Sequence, residues 1–195
     1  MSKNQRTREA IKSAFLNLIK DADLDSINTK DIMEIAGGAR SNFYNYFSDK
    51  FDLLNAIMQD ELKTLERIIN SFFRENGNVL NEETIPALNT IRFNYIYEHR
   101  ELYKVLFTSD CFRGFPEMMR STMDKILSYR FQMLFGDNTK IPVNSGLRAY
   151  MMSSLFVSTI AYWAMTDFSQ TPERLCRDYT QYFMPRFRPE AADPF

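Results

Sequence analysis

Apolar residues recur at helical spacing along almost the whole chain, and the intervals between these runs are polar or contain Gly and Pro. Over residues 5–20 the stripe is Ile11, Phe15, Leu18 and Ile19, with Arg6, Arg8 and Lys12 toward its start. The polar run D-A-D-L-D-S follows and separates this helix from a shorter one. There Ile32, Ile35 and Ala36 form the inward set, Asn28 or Thr29 caps the start, and Gly37-Gly38 stops the helix. A third short helix begins near Ala39, with Phe43 and Phe47 on its inner side. From Ser48 a long pattern runs to about Arg74 through Leu53, Leu54, Ile57, Leu62, Leu65 and Ile69. Breakers at Pro86, Gly114-Phe115-Pro116, Gly136-Asp137-Asn138, Pro142 and Thr171-Pro172 divide the remainder into helices near 82–98, 100–109, 116–135, 144–168 and 172–184. The closing R-P-E-A-A-D-P-F reads as frayed. No strand alternation competes, so the predicted fold class is all-α.

Helix, Gly-containing turn and helix over residues 28–47 form the pattern of a helix-turn-helix, whose second helix lies in the DNA major groove. With Phe43 and Phe47 inside, Arg40, Ser41, Asn42, Tyr44 and Asn45 are left on the outer surface. Arg40 suits a guanine edge, Asn42 or Asn45 an adenine, and Lys30 a base or a phosphate. Thr29, Tyr44, Tyr46 and Lys50 suit phosphates, which fix register without reading sequence. Arg6 and Arg8 are further candidates for phosphates or a minor groove.

The run A-G-G-A-R-S-N-F-Y-N-Y-F, followed by S-D-K-F-D-L-L, resembles the DNA-binding end of TetR-type transcriptional regulators, whose usual reading is A-G-V-S-x-x-x-L-Y-x-Y-F, then a Lys and a paired Leu. The resemblance covers roughly the first 55 residues and includes Tyr44, Tyr46, Phe47, Lys50 and Leu53-Leu54. Gly38 stands where a packed Val is usual, and Ala39 where a Ser normally caps the recognition helix. The resemblance implies a three-helix DNA-binding domain over 1–50 and a helical effector-binding and dimerisation domain over 51–195. It also implies a homodimer on a near-palindromic operator, repression as the commoner mode, and an effector held in the second domain.

Composition narrows the alternatives. The chain has 195 residues, 45% of them hydrophobic, enough to bury a core without disulfides or metal. A net charge of -1 argues against indiscriminate coating of nucleic acid, and residues 1–50 hold eight basic against seven acidic side chains. Cys111 and Cys176 lack C-x-x-C spacing and no secretory signal opens the chain, which points to a reduced, cytoplasmic protein. His99, the only histidine, lies between Glu98 and Glu101 and reads as a helix-end residue rather than a metal ligand or base. Without a nucleophile elbow, a phosphate-cradling Gly loop or a metal motif, no enzyme, cofactor or metal is expected. Ala149 to Thr166 carries no charge, but Ser153, Ser154, Ser158 and Thr159 interrupt it, so burial in protein is expected rather than a membrane span.

In the helix near 144–168, Ser154, Ser158 and Ala161 make a small-residue face opposite Phe156, Ile160 and Trp163. The resemblance makes this helix and the next, with Tyr179, the expected dimer interface. The aromatic and methionine content of the second half suits an apolar pocket or simply a core, and Tyr103, Phe107, Met123 and Trp163 are the nominated pocket residues. An alternative is a regulatory co-activator acting mainly through a protein partner, like the dihydroxyacetone-kinase-associated regulators. The segments Y-W-x(8)-P-E, at Trp163, Pro172 and Glu173, and E-H-R-E-L-Y-K support that alternative.

Overall fold

The computed structural model of the protein describes residues 2–77, 79, 81, 83–135 and 145–183. Among them nine α-helices follow in chain order, joined by two short 3-10 turns and no strand: α1 Lys3–Leu18, α2 Thr29–Ala36, α3 Arg40–Phe43, α4 Lys50–Glu75, α5 Thr84–Glu98, α6 Arg100–Thr108, α7 Phe115–Phe135, α8 Ser145–Met165 and α9 Pro172–Phe183. The sequence breakers at 136–138 and Pro142, and the tail from Arg188, lie outside the described residues.

Helices α1, α2 and α3 pack in succession, α4 runs on against α5 and α7, α7 lies along α8, and α9 covers α5. One apolar cluster continues from Ile11 in α1 to Tyr179 in α9, by way of Leu53, Leu65 and Phe73 on α4. The stripes read from sequence therefore meet in a shared core, with α4 as the rod common to both ends.

Local chemistry sets the ends of the helices. Asn28 Oδ1 accepts from the backbone N–H of Lys30 and Asp31, at 2.9 and 3.1 Å, and Asp31 Oδ2 accepts from the Asn28 N–H at 3.2 Å, so α2 starts in a reciprocal capping box. It ends at Gly37, whose φ of 77° is left-handed and costs an L side chain about 1 kcal/mol or more. Asp49 caps α4 through the N–H groups of Phe51 and Asp52, both at 2.8 Å.

Two expectations need correction here. Ile35 is 52% exposed, and the inner side of α2 is held by Ile32 and Met33 instead. The buried arc of this two-turn helix centres on those two residues, which puts Ile35 at its margin. Helix α8 stops at Met165 rather than 168 because Asp167 and Phe168 both take left-handed backbone. That break is held by the Phe168 N–H donating to the Trp163 carbonyl at 2.8 Å, and by the Phe168 ring lying 4.9 Å from the Trp163 ring.

Candidate nucleic-acid interface

Helix α3 is a single turn, continued to Phe47 by hydrogen bonds from the N–H groups of Tyr46 and Phe47 to the Phe43 carbonyl. Phe43 is fully buried and Phe47 nearly so, their rings 5.8 Å apart, which fixes the other side of this segment to solvent. Arg40, Ser41, Asn42, Tyr44 and Asn45 are exposed there, as the spacing predicted. Arg40 Nε donates to Thr29 Oγ1 at 3.2 Å, and the Tyr44 hydroxyl lies 3.4 Å from the same oxygen. Thr29 at the start of α2 thus gathers the two long side chains of α3 into one cluster, with exposed Lys30 next in sequence. The hydrogen bond with Thr29, and then that with Arg40, lower the Tyr44 hydroxyl below the ordinary tyrosine value. Tyr46 is half-buried and packs on the core, so it offers only part of its surface.

Gly38 and Ala39, the two positions where the motif departs from its usual form, have physical consequences. A Cβ on Gly38 would sit 2.6 Å from Met33 Cε, so the methionine side chain already occupies the space beside this residue. Ala39 has the extended backbone of an N-cap, φ -74° and ψ 147°, but makes no side-chain cap. The N–H groups at the start of α3 are correspondingly less satisfied than those of α2.

Three basic residues nominated for phosphates differ in what they do. Lys50 Nζ donates to the carbonyls of Leu24, Ile27 and Asp25, at 2.7, 3.0 and 3.2 Å. All three ammonium hydrogens are thereby engaged in tying the turn before α2 to the start of α4. Arg8 Nη1 reaches Asp60 Oδ2 at 2.6 Å and its guanidinium lies 5.4 Å from the centre of the Phe47 ring. Arg6 stays exposed near the start of α1.

The residues that join this interface to the rest of the molecule were missed in the sequence. Asp60 on α4 takes Arg8 and Lys12 of α1, each at 2.6 Å. Burial pushes its carboxyl up, but the hydrogen bonds from Lys12 and Arg8 outweigh that and hold it below the usual aspartate range. The next residue, Glu61, is buried and faces the other way, accepting from the hydroxyls of Tyr103 on α6 at 2.7 Å and Tyr95 on α5 at 3.2 Å. Burial raises the Glu61 carboxyl, against the opposing pull of those hydroxyls. Two adjacent carboxylates therefore tie α4 to α1 on one side and to α5 and α6 on the other. Glu61, a charge at an inward position of the apolar stripe of α4, was the available signal.

The nominated pocket residues are packed rather than open. Tyr103 and Trp163 are fully buried and Met123 nearly so, while Phe107 stacks on Tyr103 with ring centres 6.3 Å apart. Trp163 Nε1 donates to the Gln170 carbonyl at 3.0 Å and its ring stacks on Tyr97 at 5.6 Å. Lys104 reaches Asp167 at 2.7 Å, so the segments around Trp163 and His99 form one corner of the fold. His99 sits between α5 and α6 with Nδ1 2.8 Å from the Tyr95 carbonyl, in the helix-end position expected of it. Tyr179 is a correction to the expected dimer interface: it is 8% exposed and turned inward, 5.3 Å from the Phe93 ring. Ser158 is exposed, and Ser154 and Ala161 are half-buried on the outer side of α8. Among the described residues no group of His, Cys, Asp and Glu could hold a metal, both cysteines are free, and no helix is long and apolar enough to cross a membrane.

An all-helical chain with a helix-turn-helix at one end and a larger helical body at the other defines a class of transcription regulators. Residues 82–184, just over half of the chain, match the family model described as the transcriptional regulator C-terminal region. The chain belongs to the TetR-type family of DNA-binding transcriptional regulators, which are not enzymes. It is 25% identical over 167 residues to an uncharacterized HTH-type transcriptional regulator, YxbF, of Bacillus subtilis, a match covering 85% of this chain and 41% of that protein. It is 26% identical over 110 residues to DhaS of Lactococcus lactis, the HTH-type dhaKLM operon transcriptional activator, covering 56% of this chain and 54% of that one. The matches thus span about half, or less, of the length of these relatives. Among solved structures, a putative TetR-family regulator from Syntrophomonas wolfei aligns over 92% of this chain and 94% of its own, with TM-score 0.73 and 17% identity.

Proposed function

We propose that the chain is a homodimeric repressor that reads a near-palindromic operator through the exposed side of α2 and α3, and that a small molecule bound in the helical body changes operator affinity. The observation that carries this reading is the Thr29–Arg40–Tyr44 cluster, presented together with Ser41, Asn42 and Asn45 above the buried Phe43 and Phe47. Arg40 and the two asparagines are the candidates for base edges; Thr29, Lys30, Ser41, Tyr44 and the exposed part of Tyr46 are those for phosphates. Lys50 acts on DNA through the turn it holds. We place the functional division after residue 50, with α4 as the connecting rod, and the protein in the cytoplasm with the DNA it reads.

The outer side of α8 supports the dimer. Leu147, Met151, Ser154, Ser158, Ala161 and Met165 alternate at spacings of four and three, the seam pattern of two helices packed at a shallow angle. Leu147 and Met151 are each 54% exposed and Met165 75%, an apolar seam that a second copy would cover. Two recognition helices about 34 Å apart then meet successive major grooves.

DhaS, an activator, gives the second reading its support: a co-activator that works through a protein partner and binds DNA weakly. Selection of bound duplexes from a random pool by the purified protein separates the two. Enrichment of a palindrome by a dimer is the result expected; no enriched sequence, with or without cell extract, would leave the partner-based reading in its place. Transcription from a promoter carrying the enriched site then distinguishes repression from activation.

A further inference from the structure

The cations of the recognition end differ in what holds them. Arg8 and Lys12 each meet the Asp60 carboxylate at 2.6 Å, and Lys50 meets three backbone carbonyls. Arg40, at the start of α3, is held by hydroxyls instead. Its Nε donates to Thr29 Oγ1 at 3.2 Å, and the Tyr44 hydroxyl, 3.4 Å from the same oxygen, borders the guanidinium as well. No carboxylate of a described residue pairs with it. Arg40 is therefore exposed, oriented and uncompensated at once.

Those conditions are what a base-reading arginine needs. A carboxylate would orient the side chain but cancel its charge, whereas a hydroxyl oxygen accepts the hydrogen bond and leaves the charge in place. Because Thr29 takes the Nε–H, the Nη groups at the tip of the fork remain for a pair of outside acceptors, such as O6 and N7 of a guanine. A long side chain held beforehand also loses less freedom on binding than one that swings. The support is itself well placed. Thr29 is the first residue of α2, set by the Asn28 capping box, and Arg40 is the first of α3, so the contact spans both helices of the motif. The hydroxyl hydrogen of Thr29 stays available to Tyr44 or to a phosphate, so this duty is compatible with a phosphate contact. The lowered Tyr44 hydroxyl, caused first by the hydrogen bond with Thr29 and then by that with Arg40, reports the same cluster.

We propose that Thr29 is a positioning residue for sequence recognition: its Oγ1, fixed by the start of α2, holds the Arg40 guanidinium in the pose that reads a guanine edge. The assignment rests on the reading that α3 contacts bases, and it gives a share of the specificity to a residue outside α3. Its signature is selective. The Thr29 hydroxyl matters most on the duplexes that Arg40 favours, because only there is the oriented fork used. A phosphate contact alone behaves otherwise, since it strengthens binding to every duplex alike.

The test uses the full-length chain, the duplex that it enriches from a random pool, and single-base variants of that duplex. Wild type, Thr29→Val, Thr29→Ser, Arg40→Ala and the double variant are titrated against each by anisotropy. Thr29→Val, which keeps the branched shape and removes the hydroxyl, narrows the preference at the base pair that Arg40 reads by about three- to tenfold, the worth of one hydrogen bond. Thr29→Ser restores the preference, and Thr29→Val adds nothing in the Arg40→Ala background. Thr29→Ala, which suits a helix start, gives the same loss and covers the case in which valine is not tolerated. A second readout needs no DNA. By heteronuclear NMR, the Arg40 Nε–H exchanges with water faster in Thr29→Val than in wild type, and the Tyr44 hydroxyl titrates at higher pH. An unchanged preference, equal weakening on every duplex, a serine variant no better than valine, or an Nε–H that exchanges alike in both proteins would overturn the proposal. Arg40→Ala separates the two failures. If it removes the preference while the Thr29 variants keep it, the positioning role falls and the DNA reading stands; if no duplex is enriched, or Arg40→Ala keeps the preference, both fall.

Discussion

The recognition end and the helical body use polar side chains in opposite ways. On α3 and the residues just after it, Arg40, Ser41, Asn42 and Asn45 are exposed over two buried phenylalanines, and Arg40 is tied only at the surface, to Thr29. In the body Glu61, Asn89 and Arg92 are buried among aromatics and are held by specific neighbours. An exposed polar group costs the fold little and is available to a partner, whereas a buried one is expensive unless it is matched. The comparison teaches what each place asks of a polar group: those that stand free of the core are open to a partner, and those inside it need specific neighbours.

Substitutions sharpen that contrast. Trp163→Ala, in the body, should cost about 3–5 kcal/mol of stability, measured by chemical unfolding, with the base preference of whatever remains folded unchanged. Lys50→Met should cost about 2 kcal/mol, since charge-assisted hydrogen bonds to three carbonyls are lost. Operator affinity should then fall uniformly across sequences because the turn before α2 loosens. A large loss of affinity at unchanged stability would return Lys50 to the phosphate contacts.

The paired carboxylates on α4 differ in the sign of their pH dependence. Asp60 is held below its unfolded value of roughly 4. Its contribution is therefore fully present above that value and is lost as pH falls through the lower, folded one. Asp60→Asn should remove about 1 kcal/mol at neutral pH, a modest figure because Asp60 is partly exposed and screened. Glu61 is raised, so between roughly pH 4 and its higher folded value the folded state holds the extra proton. Stability declines as pH rises through that window, and Glu61→Gln should flatten the decline. Unfolding midpoints from pH 3 to 8, on the order of the range set by carboxylate titration, read both. The same pH dependence for the two variants would contradict the opposite environments of the pair.

The departures from the helix-turn-helix pattern give smaller effects. Ala39→Ser should add about 1 kcal/mol by supplying the missing cap, and should tighten operator binding through a firmer α3. Gly38→Ala should change stability by no more than about 0.5 kcal/mol: lost chain freedom in the unfolded state favours it, and the displacement of Met33 opposes it. Unfolding and binding titrations of both variants are the check.

Much of this was legible in the sequence because helical periodicity and Gly-Gly punctuation are local signals. The starts and ends of α4, α5 and α6 fall within a residue or two of those read from the pattern. The inward places of Phe43 and Phe47 follow from their spacing alone. Less legible were relations between distant segments. Met33 replaces Ile35 on the inner side of α2 because a two-turn helix offers too few positions to fix its rotation. Tyr179 turned inward, since Arg92, 87 positions earlier, waits beneath α9 and no local rule announces it. Yet Arg92 did leave a trace: with Ile85, Leu88, Asn89, Phe93 and Ile96 it lies on the single buried stripe of α5, a charge at an inward position.

The central claim, that the polar surface of α3 reads DNA sequence, is tested most directly by anisotropy titration of the enriched duplex and of single-base variants against wild type and Arg40→Ala at two salt concentrations. Loss of discrimination at one symmetric position of about 1–3 kcal/mol, with unfolding unchanged, is the outcome expected. Wild type and Arg40→Ala binding all duplexes alike, with the same salt slope, would contradict it.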